Sequence, residues 1–203
     1  MNAFAVLAAA FRRTWDEWLS VMVLSALWLL AQALIVPGPA ATAALFAMAH
    51  ATHDGVYWGA ADAWAAFRSL FWPAWRWALP TYAITGIALY NLSVFGNVPG
   101  AGWSVLRLVW LLVLLAWLGL NLFFWPLYLS AEDRSLRNTW ANCARFWLLH
   151  PGTALVVFAV SLIMGIAAVG TLLPVVLGFG FWLALTAETA VRRSLALAHG
   201  RDS

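Results

Sequence analysis

Charge is what this chain has least of. Charged side chains make up 9% of its 203 residues and hydrophobic ones 65%, whereas soluble domains carry about 25% and about 45 to 50%. That balance excludes an ordinary water-soluble domain. Lysine is absent altogether: all 11 basic residues are arginine and the net charge is only +3, too little to form a nucleic-acid surface. The one cysteine, Cys143, permits neither an intramolecular disulfide nor a Cys-based metal cluster, and reads as a small apolar helix residue. The chain also lacks a Gly-Lys-Ser/Thr phosphate loop, a His-Glu-x-x-His pair and a recognisable Ser-His-Asp setting, so neither an enzyme nor a cofactor or metal site is expected. The arginines Arg12 and Arg13 follow the apolar run Ala3 to Phe11. A cleaved leader has its charges before the run, so the N-terminus is expected to be retained.

What the chain has in quantity is apolar helix. The expectation is an all-α, polytopic membrane bundle of about six transmembrane helices in one domain over residues 1–203, with both termini cytoplasmic. The spans fall at about 19–36, 39–55, 77–95, 103–125, 152–172 and 174–191, and amphipathic helices at about 3–17, 61–72 and 131–149 lie in the cytoplasmic interface. Phe4, Leu7, Phe11, Trp15 and Trp18 form the apolar stripe of the first surface helix. Trp64, Phe67, Leu70 and Phe71 form that of the second, which Pro73 ends. The third, with Trp140, Cys143, Ala144 and Trp147 on one face, starts at a Ser130-x-x-Asp133 cap.

The stretch Pro37 to Asp54 is only weakly apolar, yet the arginines require it to cross. If it does, Arg12, Arg13, Arg68, Arg76, Arg134, Arg137, Arg145, Arg192, Arg193 and Arg201 all lie inside and only Arg107 lies near the outer face. A re-entrant hairpin would return the chain to the side it entered from and spoil that assignment. Ala43, Ala47, Ala51 and Gly55 recur every fourth position, a small-residue stripe expected to bring helix backbones close together in lipid.

Candidate polar sites are few. Asn91 and Asn121 are expected to hydrogen-bond between helices, and Arg107 to reach the outer headgroups. A small transporter or lipid- or solute-binding permease would use these three as its pocket. His50, His53 and Asp54 share one side of a helix end and read as a polar cap, with metal or proton chemistry the sharper alternative. Glu188 precedes Arg192 by four residues and is expected to pair with it at a helix end, with a proton-coupling carboxylate the sharper alternative.

Trp28-Leu-Leu-Ala leading to Pro37-Gly-Pro-Ala-Ala-Thr-Ala-Ala-Leu-Phe, then a charged break and Trp64-Ala-Ala-Phe-Arg-Ser-Leu-Phe, resembles the YesL-like family of bacterial membrane proteins. The stretch Arg137 to Pro151 and the final spans are similar too. Trp72-Pro73 and the load of 15 tryptophans depart from the family pattern. The resemblance implies an inner-membrane protein encoded near carbohydrate-uptake ABC transporters and glycan-degrading enzymes, and it assigns no catalytic residue. The expectation drawn from it is a non-enzymatic accessory or assembly partner of a solute-uptake system. Its expected partners are the lipid bilayer, transporter subunits or further copies of itself.

Overall fold

The computed structural model describes residues 3–16, 18–171 and 178–198. Among them it contains ten helices and no strand: α1 (Ala3–Asp16), α2 (Trp18–Ala33), α3 (Gly38–His53), α4 (Ala60–Ser69), α5 (Phe71–Val94), α6 (Ala101–Leu122), α7 (Phe124–Ser130), α8 (Leu136–Leu149), α9 (Pro151–Thr171) and α10 (Phe179–Ala198). The all-α expectation holds. Among the described residues two stretches are long and apolar enough to cross a membrane, Ala101–Ser130, which is α6 with α7, and Pro151–Ala168 in α9.

At the centre is α3. Alanine is the best helix former, and the proline near the helix start lacks an N–H that would be unpaired there in any case. Ala40, Ala43, Ala44, Leu45, Phe46, Met48 and Ala49 are all buried, and α3 packs against α2, α4, α5, α7 and α10. The expected stripe is only partly the packing surface: Ala43 is buried, Ala47 and Ala51 are half-buried, and Gly55 is exposed. Gly55 instead ends the helix. Its φ is 72°, its N–H donates to Thr52 O, and Val56 N–H donates to Ala51 O at 3.0 Å. This is a Schellman cap, which needs the left-handed backbone that glycine adopts freely.

The α2–α3 turn is pinned by side chains. Gln32 Nε2 donates to Gly38 O and to Thr42 Oγ1, both at 3.0 Å, and Trp28 Nε1 donates to Thr42 Oγ1 at 3.0 Å. Ile35 sits at φ 59°, a conformation costly for a β-branched residue.

After Asp54 the chain departs from expectation. Helix α4 packs along α3 instead of lying across the end of the bundle, and Trp75 Nε1 reaches Val36 O at 3.1 Å. The 38–70 segment is therefore a helical hairpin whose two ends meet. The six-span reading set Val36 and Trp75 on opposite faces, and that part of it fails. Within the hairpin, Trp64 is exposed, while Leu70 is buried and Ala63 and Phe67 are half-buried. The apolar face is thus rotated from the expected one: α4 half-buries Ala63, Ala66 and Phe67, and Trp64 turns outward. The break between α4 and α5 falls at Leu70, not Pro73. Pro73 lies in the first turn of α5, where its missing N–H costs little.

Helices α5 and α6 form a long second hairpin. Its base is tied to the bundle by aromatic contacts: Trp77 with Phe124 and Trp125, and Trp117 with Trp140. Towards the tip, Ile87, Tyr90, Val94, Val105, Leu108 and Leu112 are exposed. The expected cap at Ser130 is not used. Ser135 caps α8 by accepting from Asn138 N–H at 3.3 Å, and Asn138 donates to Asp133. Thr139, Cys143 and Phe146 form the buried face of α8, while Ala144 is exposed. Trp147 lies against Gly119, where an added Cβ would meet its ring at 2.6 Å.

Helix α1 also differs from expectation. It docks on α10 and α9 through Val6 and Ala10, both fully buried, and turns Phe4, Phe11 and Trp15 outward. The last expected span starts inside residues 172–177, which lie outside the described residues together with its Leu173-Pro174 turn. What is described of it runs on to Ala198 as α10.

Candidate functional site

The C-terminal end of α3 and the middle of α10 bring together the polar residues that the sequence offers separately. Glu188 is fully buried. His50 Nδ1 lies 2.8 Å from Glu188 Oε1, and Arg192 Nε donates to the same oxygen at 2.8 Å. Arg192 Nη2 reaches His50 Nε2 at 2.8 Å and Asp54 Oδ2 at 3.0 Å. From α1, Arg13 Nη1 donates to His53 O at 3.3 Å. Four helix-turn neighbours from two segments about 140 residues apart thus form one cluster.

A carboxylate oxygen only accepts, so His50 Nδ1–H donates to Glu188. Arg192 Nη2 lies against the ring, 2.8 Å from Nε2 and 3.3 Å from Nδ1. A carboxylate as deeply buried as Glu188 needs a paired cation and further hydrogen bonds, and Arg192 and His50 supply both. Glu188 Oε2 is buried without a hydrogen-bond partner among the described residues. Among those residues no three His, Cys, Asp or Glu side chains are arranged to hold a metal ion. Arg192 occupies the space between the carboxylates, where a cation would sit.

The Glu188–Arg192 pair is as expected, and His50 and Asp54 belong to the same site. His53 contributes its backbone carbonyl, and its ring Nδ1 is 3.9 Å from Asp54 Oδ1. The sequence reading missed Arg13 and the meeting of the two i, i+4 pairs. A usable signal was present: each pair places ionisable side chains four residues apart in an otherwise apolar helix.

The other polar candidates do not join this site or one another. Asn121 Oδ1 accepts from Trp77 Nε1 at 2.8 Å and Thr81 Oγ1 at 3.1 Å, so it links α6 to α5 as expected. Asn91 donates to Ile87 O in its own helix at 2.8 Å and makes no such link. Arg107 caps the hairpin tip, donating to Gly96 O and, at 2.9 Å, to Ser104 Oγ. Arg107 and Asn121 are 14 residues apart on one helix, about 21 Å, so the expected three-residue pocket does not form.

An apolar groove of about 610 Å³ runs between α2, α3 and α4, walled by residues including Val23, Leu27, Leu34, Ala44, Trp64 and Phe67. Compared with protein-family models, curated proteins and solved structures, the chain matches none.

Proposed function

We propose that the chain is a multi-pass inner-membrane protein that serves as a non-enzymatic accessory or assembly partner of a bacterial solute-uptake system. The observation carrying the membrane part is an inverted distribution of side chains. Leu19, Val23, Leu27 and Leu30 of α2 and Leu108, Val109, Leu111 and Leu112 of α6 are exposed, while Glu188 is fully buried. Water would penalise such an exterior, and hydrocarbon would not. The resemblance to the YesL-like family supports the bacterial setting and the carbohydrate class of solute. The α5–α6 hairpin, attached at its base, supports the partner role, since its outer faces are open to lipid or to another protein's helices. In this reading α3 and α4 enter and leave by one side, in place of one of the six complete crossings.

Affinity capture from mild detergent tests the role. Transporter subunits should co-purify in repeated preparations, and recovery of the protein alone would count against it. Retention in the membrane fraction after alkaline carbonate washing tests the location.

The groove beside α2 favours a second reading, a lipid- or solute-binding permease. Protein purified in mild detergent should then retain lipid, and Ala44→Phe, which fills the groove, should abolish that retention.

A further inference from the structure

The geometry points to Glu188 as a proton-binding carboxylate, loaded from the Asp54 end of α3 through His50 and gated by Arg192. This goes beyond the accessory role proposed above. An ion pair that serves only to fasten two helices needs neither a histidine between its charges nor a spare buried oxygen. Here both are present. His50 bridges the buried Glu188, with which it makes a 2.8 Å contact, and the partly exposed Asp54, whose Oδ2 lies 3.8 Å from His50 Nε2.

Other polar groups are buried on α10 and its neighbours. Thr186 Oγ1 and Trp182 Nε1 are buried without a hydrogen-bond partner among the described residues, as are Ser161 Oγ of α9 and Ser25 Oγ of α2. Other hydroxyls on α10 are satisfied locally: Thr189 Oγ1 donates to Leu185 O at 2.7 Å, and Ser194 Oγ to Val191 O at 2.7 Å.

The proton balance is simple. Arg192 Nη2 lies 2.8 Å from His50 Nε2, 3.3 Å from its Nδ1 and 3.0 Å from Asp54 Oδ2, and the step starts from a neutral ring with its proton on Nδ1. When it moves wholly onto Asp54, His50 Nε2 is free to take a proton from solvent. The ring then passes its Nδ1 proton to Glu188 Oε1. The products are a neutral carboxylic acid and a neutral His50 in the Nε2–H tautomer, with one proton gained by the cluster. Arg192 keeps Asp54 but loses its ionic partner on α10, so loading loosens the α3–α10 junction.

Few other charges bear on the site. The helices packed on α10 are α1, α2, α3, α7 and α9. Of these, α2 and α9 carry no ionisable side chain and α7 carries only Tyr128. From α3 come His50, His53 and Asp54, and α1 carries Arg12, Arg13 and Asp16, of which Arg13 reaches the cluster.

The test is infrared difference spectroscopy of the full chain in phosphatidylcholine nanodiscs, stepped from about pH 8 to about pH 5. A protonated-carboxyl band should appear, shift with ¹³C-glutamate labelling and vanish in Glu188→Gln. That variant keeps an acceptor for Arg192 and His50, and the isotope shift identifies glutamate even should it fail to fold. In His50→Asn the band should arrive after a pH jump about tenfold more slowly or worse, at unchanged final amplitude. Absence of a glutamate band, or its survival in Glu188→Gln, would overturn the site. Arrival in His50→Asn as fast as in the unmodified chain would overturn the route.

Discussion

Trp75 donates its indole N–H to the Val36 carbonyl at 3.1 Å, and this bond joins the start of α5 to the end of α2. Helix α3 is 16 residues long, about 24 Å, and α4 retraces it. Arg76, beside Trp75, and Arg13, bonded to His53 O, therefore mark opposite ends of α3. In a Cys143→Ala background, Val36→Cys with Trp75→Cys should cross-link with a short bifunctional maleimide. No cross-link with both thiols separately reactive would restore a complete crossing for α3 alone.

Arg192 should matter more to stability than its surface position suggests. Arg192→Ala leaves a fully buried carboxylate without its cation and should cost about 3 to 5 kcal/mol. Glu188→Gln should cost clearly less, because a neutral amide oxygen still accepts from Arg192 and His50. Unfolding curves of the purified protein in detergent measure both, and equal losses would contradict this account of the buried charge.

The glycines separate into two kinds. Gly119 faces Trp147, and Gly178, at φ 106°, faces Val21, whose Cγ1 would be 2.5 Å from an added Cβ. Alanine at either should destabilise by about 1 to 3 kcal/mol. Gly86, mid-helix in α5, has no atom within 4 Å of an added Cβ. Gly86→Ala should stabilise by about 0.5 to 1 kcal/mol. Midpoint shifts of opposite sign in thermal melts are the expected result.

Asn121 and Asn91 should respond differently to leucine. Asn121→Leu strands the Trp77 indole N–H in an apolar site and should cost about 1 to 3 kcal/mol. Among the described residues Asn91 bonds within its own helix, so Asn91→Leu should be near neutral. The two melts, run side by side, decide whether Asn121 is the joint of the α5–α6 hairpin.

Cys143 should be inert. Burial on α8 pushes its thiol up to about 12, and the reactive species is the thiolate. The thiolate fraction stays small until pH approaches that value. Maleimide at about pH 8 should therefore leave the folded protein unlabelled and react fully after denaturation. Rapid labelling of the folded chain would refute the packing of α8.

Helices were legible in the sequence because apolar runs, prolines and caps are local signals. Glu188 with Arg192, and His50 with Asp54, were legible for the same reason, each four residues apart. What was not legible was long-range direction. Whether the chain after Asp54 stays at that end or doubles back depends on Ala63, Phe67 and Leu70 packing on α3, and their spacing also fits a helix lying in an interface. The arginine rule then favoured the simpler path. Asn91 and Asn121 show the same limit. They are identical in type and both lie in apolar helices, yet only Asn121 meets Trp77 and Thr81 on another helix.

The α5–α6 hairpin holds a mechanical possibility in its proportions. Its joint to the bundle lies at Trp77 and Asn121, and its tip lies at Gly96, where Arg107 closes the loop. From Trp77 to the tip is about 27 Å of helix, so a tilt of about 10° at the joint carries the tip through about 5 Å. A small rotation at the Trp77–Asn121 joint is thus amplified at the tip by the length of the hairpin.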